Sequence, residues 1–305
     1  MENLFKMLDL SATEITDILD LADQLKYERK HGISHKLLEG QKIGMIFEKS
    51  STRTRISFEV GITELGATPL FLSSSDLQIG RGEPLCDTAR VLGRYLDGIM
   101  IRTFKQSTVE DLAKYSGLGV INGLTDFSHP CQVLADLMTI REFKISFYNL
   151  KLCYVGDGNN MCNSLVVGAL KVGMRVSIAV PKGYEPDATI LEFAKEYGDK
   201  FEMTTKPEVA VKDADVIVTD VWTSMGQEDE TQKRAEAFKG YCLTKDLLSA
   251  ANKDYMVLHC LPAHREEEIS AEVFEENAKY IFEEAENRLH AQKAVMVRLY
   301  QKRTQ

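Results

Sequence analysis

No uninterrupted apolar run in this 305-residue chain approaches the roughly 18 residues that a membrane-spanning helix needs. A membrane partner is therefore not expected. The opening residues, MENLFKMLDL, lack the basic start and long apolar core of a secretory signal. They also lack the Arg-rich, acid-poor character of an organellar presequence, and the expectation is a cytoplasmic protein. The six cysteines (Cys86, Cys131, Cys153, Cys162, Cys242 and Cys260) form no CxxC pair and show no metal-ligand spacing. No metal is expected, and most of these thiols read as buried small hydrophobes in a reducing compartment. Basic residues are outnumbered 46 to 37, for a net charge of −9, with no sustained Lys/Arg stripe. A nucleic-acid partner is thus not expected, and any anion must be held by a small, local positive site. Repeats and low-complexity tracts are absent as well.

What is present is close to the average soluble globular protein, with 44% hydrophobic and 27% charged residues, and long enough for two domains. Helix and strand patterns alternate almost throughout. Ser11 and Glu14 form an S-x-x-E capping box before Ile15, Ile18, Leu19, Ala22 and Leu25, one face of a helix. Strands are predicted at 43–47, 69–73, 98–102, 120–124, 152–156, 175–180, 215–220 and 255–260. Helical patterns include 55–65, 131–143 and a last one from about Glu284 to Gln301. Such alternation predicts an α/β fold of two domains, each a doubly wound parallel sheet with helices on both faces, linked by helices. The junction falls in the helix before the strand–turn–helix unit that starts at Lys151. In such sheets ligands sit beyond the carboxyl ends of the strands, so residues there are the first candidates.

The most informative stretch is FEKSSTRTRISFE (47–59), where a strand ends and Ser50-Ser51-Thr52-Arg53-Thr54-Arg55 leads straight into a helix. Helix N-terminal N–H groups, the helix dipole, several hydroxyls and the planar fork of Arg53 converge there as an anion cradle. It is not a P-loop, since the glycines and the Lys-Ser/Thr ending are missing. GDGNNMCNS (156–164) carries G-x-G after a strand, but Met161 replaces the third glycine of the dinucleotide fingerprint. The next strand ends Ala179-Val180-Pro181-Lys182, without the acidic residue that a ribose would want. A nicotinamide cofactor is therefore not expected, nor any other cofactor.

SSTRTR, IRTF (101–104), DFSHPCQVLADL (126–137), GDGNNMCNS, DVWTSMGQE (220–228), HCLPAHR (259–265) and AENRLHAQKA (285–294) occur in that order. Together they resemble the ornithine carbamoyltransferases, nearly from end to end. The resemblance implies transfer of the carbamoyl group of carbamoyl phosphate to the δ-amine of L-ornithine, giving L-citrulline and phosphate. It implies a carbamoyl phosphate-binding domain over 1–136, an ornithine-binding domain over 137–284, and a C-terminal helix, 285–305, returning to the first domain. Ser51, Thr52, Arg53 and Thr54 would hold the phosphate, and Arg102 would bridge phosphate and carbonyl. His129 and Gln132 would lie on the carbamoyl group, with Arg288 reaching in from the last helix. Asn163, Asp220, Ser224 and Met225 would hold the α-groups of ornithine. Cys260 and Leu261 would complete the carbamoyl phosphate set beside the reacting amine. Gln78, in SSSDLQIGRGE, would reach a neighbouring chain's site within a homotrimer with shared active sites. Cys162 and Glu266 depart from the family pattern without touching a named role.

The chemistry makes the same demands. Attack on the carbamoyl carbon puts negative charge on its oxygen, and fixed donors there are commonly the largest catalytic term, about 3–4 kcal/mol each. Arg102, His129 and the Thr54 hydroxyl suit that role, His129 because His-Pro opens a helix at the presumed site. An alkylammonium of pKa about 10.4 is almost wholly protonated at neutral pH, so the site must favour loss of its proton. Cys260 and Asp220 are suited to accept or orient that proton, which gives a catalytic set of Arg102, His129, Cys260 and Asp220. Asp220 at a strand end can also pair with an ammonium group, and the Ser-Met-Gly segment after it reads as a loop closing on the second substrate.

Overall fold

The computed structural model of the chain describes residues 1–75, 77, 78, 82–223 and 228–301. In chain order its elements are α1 (Ala12–Lys30), β1 (Lys42–Phe47), α2 (Thr52–Glu64), β2 (Thr68–Ser73), α3 (Leu85–Tyr95), β3 (Gly98–Arg102), α4 (Gln106–Ser116), β4 (Val120–Leu124) and α5 (Pro130–Lys144). There follow β5 (Lys151–Val155), α6 (Asn160–Lys171), β6 (Arg175–Ala179), α7 (Ala188–Lys195), β7 (Phe201–Thr204), α8 (Pro207–Val211), β8 (Val216–Thr219), α9 (Thr231–Ala237), α10 (Lys245–Leu248), β9 (Met256–His259) and α11 (Ala271–Tyr300). Met1–Met138, with the chain from Glu286 on, makes one compact unit, and Thr139–Ala285 makes a second.

The first unit is built on a four-stranded sheet in the order β2-β1-β3-β4, all parallel. The second is built on five parallel strands in the order β7-β6-β5-β8-β9. Strand β3 is buried along its whole length, which is why it is apolar up to the closing Arg102. Strand order reverses between β1 and β3 in one sheet and between β5 and β8 in the other. Those two reversals are where ligands lodge in open parallel sheets, and they direct attention to the carboxyl ends of β1, β3, β5 and β8.

Two elements depart from the sequence expectation. Strand β7 was not foreseen, because it is a four-residue edge strand with half-exposed side chains and so lacks a strong apolar signal. Helix α11 starts at Ala271, well before the expected start near Glu284. Its early turns bury Val273, Phe274 and Ile281, but the polar Asn277 interrupts that stripe. Asn277 is buried because its amide donates to the Val273 carbonyl (2.9 Å) and its oxygen accepts from Val257 N–H (3.1 Å). A satisfied buried amide looks like a surface residue in sequence.

Local rules explain the helix that carries the anion cradle. Helix α2 buries Thr54, Phe58, Gly61 and Ile62, an i, i+4, i+7, i+8 stripe. Full burial of Phe58 and Ile62 contributes roughly 2–3 kcal/mol each. The helix ends where Gly66 takes φ +81°. A Cβ at Gly61 would stand 3.1–3.4 Å from Lys293, Met296 and Leu289 of α11, so the glycine sets how closely α11 approaches α2. Lys293, fully buried, donates to Glu64 Oε2 (2.7 Å) and faces His35 Nε2 at 3.1 Å.

One turn before Lys293, His290 is also fully buried. Burial, followed by the charges of Lys293, Lys26 and Arg29, pulls its pKa down to about 3. An unfolded imidazole takes its proton near pH 6.5, whereas this one stays neutral in the folded chain until far lower pH. The stability it contributes is therefore complete above about pH 6.5 and is lost as pH falls. Between about pH 6 and 4, wild-type stability should fall more steeply than that of His290→Gln, by about 1.4 kcal/mol per pH unit. Urea unfolding at stepped pH measures this, and parallel pH profiles for the two proteins would refute it.

Candidate active site

In the first unit, Ser51 takes extended backbone angles and caps α2, its Oγ accepting from Thr54 N–H (3.1 Å). Thr52, Arg53 and Thr54 then form the first turn, whose N–H groups a helix cannot satisfy within its own ladder. Arg102 is the last residue of β3, and its carbonyl accepts from Glu48 N–H at 2.9 Å, locking the ends of β1 and β3 together. Its Nη1 donates to Thr54 Oγ1 at 3.4 Å, and Arg288 Nη2 donates to the same oxygen at 3.2 Å. Both lone pairs of the Thr54 hydroxyl are thereby engaged, which leaves its own hydrogen to point elsewhere. Arg288 Nη1 donates to Gln132 Oε1 (2.6 Å), and Gln132 Nε2 donates to Asp136 Oδ1 (2.9 Å).

His129 precedes α5 and is buried, its carbonyl accepting from Gln132 N–H at 3.2 Å. Burial first, and then the guanidinium charges of Arg288, Arg102 and Arg53, hold its pKa well below the ordinary value. The imidazole is thus neutral at neutral pH, able to donate one N–H to an oxygen without carrying charge itself. In a chain of net charge −9, three guanidiniums around one neutral histidine make the local positive site that an anion requires.

Residues that the sequence reading passed over hold this cluster in place. Lys49 is buried, forms an ion pair with Asp126 and lies 4.3 Å from the centre of the Phe104 ring. The Thr103 hydroxyl donates to the Glu48 carboxylate. These contacts tie the loops after β1, β3 and β4 to one another. A lysine inside FEKSSTRTR was the available signal, but nothing local identifies its partner, 77 positions away. Gln78 is exposed and its carbonyl accepts from Glu83 N–H (3.1 Å). Among the described residues, no hydrogen bond joins its side chain to Thr54, Arg102 or His129. Arg81 of the same loop lies outside the described residues.

In the second unit, Asp220 follows β8 and is buried. Its Oδ1 accepts from Val221 N–H (2.8 Å) and from Cys260 Sγ (3.1 Å), and its Oδ2 accepts from Asn159 Nδ2 (2.8 Å). Asn159 is the N-cap of α6, its oxygen accepting from the N–H groups of Met161 and Cys162. The strand ends of β5, β8 and β9 thus meet on one carboxylate. Asn163 is buried in α6 and accepts from Asp187 N–H at 3.0 Å through Oδ1. Ser224 and Met225 lie outside the described residues. The segments flanking them are joined by Arg234, which donates to the Trp222 carbonyl (2.9 Å) and to Asp157 Oδ2 (2.7 Å).

The glycines of GDGNN serve the fold. A Cβ on Gly158 would stand 2.3–2.4 Å from backbone atoms of Tyr184, Glu185 and Pro186, so the chain itself fills the space beside this turn. His259 shapes the HCLP turn: Leu261 N–H donates to Nδ1 (2.9 Å), so Nε2 carries the hydrogen and donates to Glu268 Oε1 (2.9 Å). Leu261 itself sits at φ +58°, an unusual position for a branched side chain, beside Cys260. Asp220, His259 and Cys260 offer donor atoms within 4.8 Å of one another, the spacing of a metal site. Both nitrogens of His259 are already committed to Leu261 and Glu268, which argues against that use.

Residues 2–142 match the family model for the carbamoyl-P binding domain of aspartate/ornithine carbamoyltransferases, and residues 148–299 match that for the Asp/Orn binding domain. The ornithine carbamoyltransferase of Carboxydothermus hydrogenoformans is 53% identical over 301 residues, 97% of each chain. That of Geobacter metallireducens is 54% identical over 98% of this chain and 99% of its own. Among solved structures, ornithine carbamoyltransferase from Pyrococcus furiosus superposes with a TM-score of 0.93 at 50% identity, covering 98% of this chain and 97% of that one. With both domain models matched in order and such relatives aligned over nearly their whole length, the chain belongs to the aspartate/ornithine carbamoyltransferase family.

Proposed function

We propose that the chain transfers the carbamoyl group of carbamoyl phosphate to the δ-amine of L-ornithine, forming L-citrulline and phosphate in arginine metabolism. The observation that carries this reading is the meeting of Arg53, Arg102 and Arg288 around the neutral His129, with Thr54 bonded to two of the three. Ser51, Thr52, Arg53 and Thr54 take the phosphate, and Arg102 bridges it to the carbamoyl oxygen. The Thr54 hydroxyl and the His129 N–H face that oxygen as it becomes negative. Gln132 holds the carbamoyl amide and Arg288 the phosphate edge. In the step itself the neutral δ-amine attacks the carbonyl carbon, a C–N bond forms, and the C–O bond to phosphate breaks. The amine proton goes to a base at the site.

In the second unit Asp220 supplies the carboxylate for ornithine's α-ammonium group, held by three donors so that it need not reorganise on binding. Asn163, Ser224 and Met225 complete the ornithine set, with Cys260 and Leu261 beside the δ-amine. The Cys260 thiol is already hydrogen-bonded to Asp220, an arrangement that can pass on or orient a proton. A homotrimer with shared active sites belongs to the same reading, in which Gln78 completes a neighbouring chain's site. Its exposure and the 39% exposed Leu70 and Phe71 on the edge strand β2 support an interface in that region. The cytoplasmic address also belongs to this reading, and the six free thiols support it.

Ureido-product formation from carbamoyl phosphate with a panel of amines tests the substrate. Ornithine should exceed putrescine by about three powers of ten or more in kcat/KM, because putrescine leaves the polar groups of the α-carbon site unpaired. Equal use of putrescine would replace ornithine by another amine and leave the transferase standing. Absence of any ureido product would reject the carbamoyl transfer.

A further inference from the structure

The contacts of Arg288 extend beyond Gln132 and Thr54. One turn further along α11 is Gln292, fully buried. Its amide satisfies all four hydrogen-bonding positions in only one orientation. The oxygen then accepts from Arg288 Nη2 (2.8 Å) and Nε (3.1 Å), and the nitrogen donates to Ser57 Oγ (2.6 Å) and to the Arg288 carbonyl (3.2 Å). Turned over, the amide hydrogens would face guanidinium hydrogens, so the network itself assigns the orientation. Ser57 in turn donates to the Thr54 carbonyl at 3.3 Å, in the first turn of α2. One polar chain thus runs from the cradle helix through Ser57 and Gln292 to the guanidinium, which then bonds Gln132 and the Thr54 hydroxyl.

We propose that Gln292, backed by Ser57, is a positioning residue that holds the Arg288 guanidinium in the orientation that receives phosphate. The proposal rests on the reading of this cluster as the carbamoyl phosphate site. Two features suit an amide to the task. An arginine side chain left to rotate must be ordered when the anion binds, and fixing it beforehand removes that cost from the affinity. A neutral acceptor does so without spending the positive charge, whereas a carboxylate at position 292 would pair with Arg288 and compete with phosphate. Gln292 meets the Nε edge while Gln132 meets Nη1 from the other side, so rotation about the guanidinium plane is blocked twice.

The test is a double-mutant cycle on the full-length protein, read by calorimetric titration with inorganic phosphate and by steady-state kinetics. Gln292→Met keeps the bulk and removes the bonds. It should weaken phosphate binding by about 10-fold and raise KM for carbamoyl phosphate to match, with kcat within about two-fold and KM for ornithine unmoved. In an Arg288→Ala background the same substitution should change phosphate affinity by less than about two-fold, because Gln292 acts only through Arg288. Gln292→Glu should also weaken binding, through charge. Equal loss in both backgrounds, or wild-type phosphate affinity in Gln292→Met, overturns the proposal. If Gln292→Met does not fold, Ser57→Ala takes its place in the cycle, with a loss of about three-fold expected in the wild-type background and none beside Arg288→Ala. If the unmodified protein neither binds phosphate nor makes ureido product, the carbamoyl phosphate reading itself has failed, and the role of Gln292 falls with it.

Discussion

Replacing Arg53 by alanine is expected to lower turnover by about 100-fold or more, roughly 3 kcal/mol of transition-state stabilisation. Arg53 occupies the second position of α2, behind the Ser51 cap, where the N–H groups of the first helical turn lie. A cation at a helix N-terminus opposes the helix dipole, so this arginine weakens its own helix slightly. Such a conflict with the local rule is what a residue kept for a ligand would show. Removing it should leave the melting temperature unchanged or a little higher, so lost activity cannot be charged to unfolding. Arg53→Lys should recover little, because an ammonium cannot reproduce the planar two-pronged grip on a phosphate. Wild-type turnover in either variant would place the phosphate elsewhere. The same variant reports on assembly. In a ring with shared sites, mixing Arg53→Ala chains with Gln78→Ala chains leaves roughly a quarter of the sites with both residues intact, and activity should rise well above either parent. Hybrid rings no more active than the parental average would remove Gln78 from the site.

The second large effect belongs to Asp220. Asp220→Asn should lower kcat/KM for ornithine by about 10³-fold and leave the affinity for inorganic phosphate within about two-fold of wild type. The carboxylate accepts from Asn159, Val221 and Cys260, three donors that together specify an acceptor at both oxygens. An asparagine must turn its NH₂ towards one of them. The substitution therefore removes the charge that would meet ornithine's ammonium and disturbs the tie between β5, β8 and β9 at the same time. Separating the two losses needs both readouts, because the residues proposed to hold phosphate belong to the other compact unit. Full activity with ornithine in Asp220→Asn would show that the ammonium group is recognised by something else, while a parallel loss of phosphate affinity would show general damage.

Much of this architecture is legible in the sequence. The capping box of Ser11 and Glu14 forms as written, with reciprocal bonds of 3.1 and 2.9 Å. Among the described residues, eight of the nine strands stand where strands were expected. The proposed anion cradle could be suggested from sequence for a simple reason. Strand end, cap, hydroxyls and Arg53 lie within a few consecutive residues, so the backbone alone brings them together. The GDG turn shows the opposite limit. Its glycines suggested phosphate chemistry, and only the packing of residues 184–186 against Gly158 shows what the missing side chain makes room for.

By itself, then, the sequence determined whatever depends on near neighbours: the alternation of strands and helices, the caps, and the chemical kinds of residue at each strand end. The tertiary structure decided which distant groups meet. Arg288 reaches Thr54 across 234 positions and Gln132 across 156, and Cys260 reaches Asp220 across 40. It also decided states of charge. No local pattern says that His129 is neutral, because its pKa is set by burial and by three arginines drawn from three different elements. Hydrogen bonds and Coulomb interactions act over a few ångströms of space, whatever the separation along the chain. A motif therefore announces which groups are available, and only the folded backbone brings them within that reach.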